Sequence, residues 1–134
     1  MVIEVLRSRT VGEVQQDFSQ QYPFLKIDFY KDGYQKPAAP GVRQKLAIGT
    51  RLLTLMNFRE GALDIRDEMT VGQLESTFRD RFGLNAQVSR KSGPVWLETT
   101  VTDKWTLKQQ NEHGRELSIA TGSKLPESEI DFES

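Results

Sequence analysis

Thr10-Val11-Gly12-Glu13-Val14, with Phe18 and Tyr22 behind it, returns sixty residues later as Thr70-Val71-Gly72-Gln73-Leu74 with Phe78 and Phe82. Each copy opens with a capping box, a threonine followed three residues on by Glu or Gln. The threonine oxygen takes up an orphan amide of the first turn, and the longer side chain bonds back to the cap amide. Behind the box, apolar residues recur at i, i+3, i+7 and i+11, which is one stripe of an amphipathic helix. The spacing predicts helices over 10–22 and 70–82. Pro23 stops the first because proline cannot donate to the ladder, and Gly83 stops the second because glycine takes the left-handed cap conformation readily.

A strand is expected after each helix, over 24–30 and 84–90. In the second, Leu84, Ala86 and Val88 alternate with Asn85, Gln87 and Ser89, as in a half-buried strand. Between the copies, residues 32–45 include Asp32-Gly33, Pro37, Pro40 and Gly41. Breaks that dense read as a linker. It separates an N-terminal β–α–β element (1–31) from a larger segment (46–122). Thirty residues bury too little surface to fold alone, so the first element is expected to pack against the second and extend its sheet. Within the larger segment, Leu52–Met56 and Ala62–Ile65 flank a loop ending in Gly61, which suggests a β-hairpin. A helix over 51–60 fits the same residues.

From residue 50 onward the order of hairpin, threonine-capped helix and strand resembles the ubiquitin-like, or β-grasp, superfamily. The residues that carry it are Asp67-Glu68-Met69-Thr70-Val71-Gly72-Gln73-Leu74, the link Phe82-Gly83-Leu84, and Thr106-Leu107-Lys108-Gln109-Gln110-Asn111 followed by Leu117-Ser118-Ile119. The resemblance covers residues 50–122. It implies an α+β fold, a β-grasp with an added N-terminal β–α–β element, in which 51–60 belongs to the hairpin and 117–119 is the last strand. Gly114 would end a short turn of helix before that strand. Carrier and modifier members of the superfamily end in Gly-Gly, and this chain contains no such pair.

The composition excludes many chemistries. The 134 residues contain no cysteine and one histidine, so disulfides, thiolate metal sites and a cysteine nucleophile are ruled out. No cofactor is expected. No apolar run is long enough to cross a membrane. The first residues, Met1-Val2-Ile3-Glu4, do not read as a secretory leader, and a cytoplasmic location follows as the expectation. His113 reads as an exposed residue near a helix C-terminus. No nucleophile elbow or phosphate-binding loop occurs, so the chain is expected not to be an enzyme.

Charge is uneven. Four acids lie in the last ten residues (Glu127, Glu129, Asp131, Glu133), and without them 15 acids face 18 bases. Residues 123–134 read as a disordered acidic tail, or as a short linear motif anchored by Ile130 and Phe132. Trp105 is expected to cover the core. Trp96 alternates with Val95 and Leu97, so one side of that strand must face outward. Arg90, Lys91 and Trp96, gathered around Ser92-Gly93-Pro94, form the candidate partner-binding surface, because tryptophan and arginine dominate interface hot spots. The expected function is a non-catalytic protein-interaction module or adaptor. The alternative is a single-stranded nucleic-acid binder using Arg79, Arg81, Arg90, Lys91 and Trp96. A covalent protein modifier or sulfur carrier comes third, for want of Gly-Gly.

Overall fold

Each half of the chain supplies strands to both of two antiparallel sheets, the first half one to each and the second half one and two. The computed structural model describes residues 1–31 and 44–123. Its elements are β1 (Val2–Val5), α1 (Val11–Gln21), β2 (Leu25–Tyr30), a 3-10 turn (Leu52–Thr54), β3 (Gly61–Asp64), α2 (Val71–Phe82), β4 (Asn85–Ser92), β5 (Val95–Glu98) and α3 (Leu107–Ser123). β1 pairs with β3, and β2, β4 and β5 form a second sheet in that order. The architecture is α+β.

The internal repeat runs far beyond the two capped helices. Ile3 faces Leu63, its own counterpart sixty residues on, while Val2 faces Asp64 and Glu4 faces Ala62. In the other sheet Leu25 faces Arg90 and Tyr30 faces Asn85, again with positions sixty apart exchanged. Both registers therefore obey one pseudo-two-fold relation between residues 1–31 and 61–91. The N-terminal element does not stand apart, because both of its strands are paired to the second half.

The same relation governs the helix starts. Thr10 and Thr70 both form complete capping boxes. The next two amides are taken by the chain itself. Val11 and Gly12 donate to the Thr50 and Ile48 carbonyls at 2.8 Å each, and Val71 and Gly72 donate to Trp105 and Asp103 at 3.1 and 2.8 Å. A side chain at Gly12 would place its Cβ 2.9 Å from the Ile48 oxygen, and one at Gly72 would lie 3.3 Å from the Asp103 oxygen. The Thr-Val-Gly motif thus has a mechanical meaning: cap, core anchor, and room for a returning strand. It also leaves neither helix start with its amides free for a phosphate.

Two expected elements are absent. Residues 52–54 form the 3-10 turn, and β3 pairs with β1. No 52–65 hairpin forms, because Leu52 is fully buried where the chain returns to the start of α1, its amide bonded to Arg9. The sequence at 117–119 is the third quarter of α3. Leu107, Gln110, Gly114 and Leu117 lie on one helical stripe, and that stripe overrode the two-residue alternation of Leu117 and Ile119. Gly114 is buried mid-helix, where a Cβ would meet Phe24 and Arg90 at 3.0 Å. It permits close packing of α3 rather than ending it. His113 is correspondingly mid-helix. The expected tail from 124 on, with Ile130 and Phe132, and linker residues 32–43 lie outside the described residues. Gln44 to Leu46 run beside β2, with Lys31 N–H donating to Gln44 and Leu46 N–H to Phe29.

The core draws on every part of the repeat: Ile3, Val5, Leu63 and Ile65 from one sheet, Leu25, Ile27, Phe29 and Val88 from the other, and both helix stripes. At its margin the Tyr22 hydroxyl donates to Asp67 Oδ1 at 2.8 Å. Burial, then this hydrogen bond and the charges of Asp67 and Glu68, push the phenol well above its ordinary value. The protonated phenol's contribution is present below its unfolded pKa of about 10 and is lost as pH rises through the folded value. The wild-type chain should therefore lose stability above about pH 10 more steeply than Tyr22→Phe. Parallel pH–stability curves in urea would contradict this.

Candidate protein-binding surface

Departures from the repeat mark where the second half has been elaborated. The first half carries a 3-10 turn where the second carries α3, and only the second half carries the β4–β5 hairpin among the described residues. Two consecutive residues of β4 point to opposite faces of the sheet. Lys91 stands directly opposite Trp96, and Arg90 opposite Leu97.

On one face two ammonium groups approach the Trp96 ring, Lys26 Nζ at 5.3 Å and Lys91 Nζ at 5.6 Å from its centre. Cation–π attraction of this kind contributes about 0.5–1 kcal/mol at exposed sites. Lys26 and Lys45 both approach Asp28 Oδ2, at 3.6 and 3.5 Å. Among the described residues Lys91 has no carboxylate partner. Trp96 is 38% exposed, and Val95 and Leu97 on the other face are 50% and 44% exposed. β5 is thus open on both sides.

Arg90 belongs elsewhere. Its guanidinium donates to Gln110 Oε1 at 2.8 Å and lies over the Trp105 ring. Gln110, fully buried, passes its amide hydrogens to the carbonyl and hydroxyl of Thr102. Arg90 therefore fastens α3 to the sheet. The expected three-residue cluster reduces to Lys91 and Trp96, with Lys26 as the member that sequence reasoning missed. Trp105 is 37% exposed and packs edge-on against His113 at 5.4 Å rather than sealing the core. Arg79 bonds Asp80, and Arg81 donates to the Ala62 carbonyl while lying over Phe82. Neither is drawn into an interaction with Trp96.

Arg90→Ala should cost ~1–3 kcal/mol, because it leaves the buried Gln110 oxygen without its donor. Trp96→Ala should cost only about 0.5–1 kcal/mol, the scale of a cation–π contact at an exposed site. Thermal melts of the two variants side by side check this, and a Trp96→Ala loss as large as that of Arg90→Ala would put Trp96 in the core.

Among the described residues no group of three or more His, Asp or Glu side chains could hold a metal ion. No helix among them is long and apolar enough to cross a membrane. The chain matches no protein-family model, no curated protein and no solved structure.

Proposed function

We propose that this chain is a non-catalytic protein-interaction module, an adaptor acting in the cytoplasm, with Lys91, Trp96 and Lys26 at its binding surface. The observation that supports this reading is β5, an edge strand whose residues are all exposed, three of them large and apolar. Exposed apolar groups beside a positioned tryptophan are what a protein partner can bury. The ubiquitin-like resemblance contributes the Thr70-capped helix, the Gly83 link and the strand after it. The hairpin and last strand that a β-grasp needs are a turn and a helix here, so the proposal rests on β5 rather than on the family. A carrier role would further need a Gly-Gly terminus.

Capture from native extract with the wild-type chain and with Trp96→Ala tests the proposal. A partner held by the wild type in 0.5 M salt and lost on Trp96→Ala supports it, and undiminished capture by a folded variant sinks it. A second reading, single-stranded nucleic-acid binding, is favoured by one observation, the indole with two lysines over its ring. Such binding would weaken steeply with salt through counterion release, whereas apolar protein contact would change little.

A further inference from the structure

Among the described residues β5 is the last strand of its sheet, and its ladder to β4 shows which of its main-chain groups face away from β4. Thr99 N–H donates to the Val88 carbonyl, and Lys91 N–H donates across to Phe24 on the β2 side. In an antiparallel ladder bonded and non-bonded pairs alternate. Val88/Thr99, Arg90/Leu97 and Ser92/Val95 are then the bonded positions, and Lys91/Trp96 is not. Trp96 accordingly turns its amide and carbonyl to the open edge. β5 is short and ends in the charged Glu98, but it contains no proline or lysine, and its register from Ser89/Glu98 to Ser92/Val95 runs without a bulge, so the edge at Trp96 is regular.

An added strand would meet two unlike faces. One carries Trp96 with Lys91 and Lys26, and Glu98 at its end, and the other carries Val95 and Leu97. Side chains of a strand alternate, so a peptide matching both faces alternates too. A carboxylate opposite Trp96 comes within reach of the Lys91 ammonium, which has no carboxylate partner among the described residues, and the apolar residues on either side of it meet Val95 and Leu97. We propose, resting on the protein-interaction reading above, that β5 receives an extended segment of a partner protein with the pattern apolar–acidic–apolar, bound by strand addition. Main-chain bonds to Trp96 give it hold, and the lysine-flanked indole selects acidic over basic side chains.

The chain's own sequence provides a probe with this alternation, Glu129-Ile130-Asp131-Phe132-Glu133. A synthetic peptide of residues 127–134, added to the full chain at low salt, should bind and slow amide exchange at Trp96. A scrambled peptide of the same composition with its apolar residues adjacent should bind roughly tenfold more weakly, as should the alternating peptide to Trp96→Ala or Lys91→Glu. A peptide with lysines in place of the acids should not bind. Absence of binding to the wild-type chain overturns the inference, as does equal affinity for the scrambled peptide or an unprotected Trp96 amide. If these fail while Trp96→Ala still abolishes partner capture, strand addition is wrong and the interaction reading stands.

Discussion

Phe78→Ala is expected to lower stability by ~3–5 kcal/mol in chemical denaturation. Phe78 is 1% exposed. Its ring lies 5.1 Å from Phe29 at a near-perpendicular angle and 5.8 Å from Phe82. Phe29 belongs to the first copy of the repeat and Phe78 to the second, so truncation removes apolar area at the seam between halves. α2 is poorly placed to collapse into the vacancy. Its start is closed by Thr70 and by the carbonyls of residues 103 and 105, and Glu75 accepts the Val88 amide at 2.8 Å. A helix fastened along its length leaves the cavity open, which favours the upper part of the range. A loss below about 1 kcal/mol would mean that the backbone gives way despite these ties.

What the sequence makes legible here is what short range decides. Capping boxes, helix stripes and the Gly83 stop involve residues within four or five of one another, and α1, α2, β2 and β4 lie where those signals put them, within two residues. Pairing across sixty residues leaves no local trace, so the partner of β1 was invisible although the repeat that dictates it was in view. α3 was misread because Leu117 and Ile119 satisfy a two-residue period while Leu107, Gln110, Gly114 and Leu117 satisfy a helical one. A glycine serving close packing looks, in sequence, like a glycine that ends a helix. At the candidate surface, the turn at Gly93-Pro94 was enough to bring Lys91 and Trp96 together. Arg90 was included by proximity, although strand alternation alone would have sent it to the other face. Lys26 needed the β2–β4 register, which only the fold supplies.

Gly83→Ala is expected to cost ~2–5 kcal/mol, combining the left-handed penalty for a residue with a Cβ and the strain of an overfilled site. Gly83 adopts φ 69° and ψ 28°. An added Cβ would stand 2.1 Å from the carbonyl oxygen of Asn57, far inside contact distance. Neither side yields cheaply. The Gly83 amide bonds the Arg79 carbonyl and the Leu84 amide bonds that of Phe78, so the cap is held from within α2. The segment it would strike is also engaged: Arg59 N–H donates to the Phe82 carbonyl, and its guanidinium donates to the carbonyls of Asp80 and Arg81. Pushing residues 57–59 outward would leave the last carbonyls of α2 without these donors and strain the lead into β3. Gly49→Ala is the control, since a Cβ there meets nothing within 4 Å. Melting of the two variants, with amide exchange followed at the β1–β3 pairs, separates the causes. If Gly83→Ala melts with the wild type, or only as low as Gly49→Ala, the left-handed cap is not what sets the path from α2 into β4.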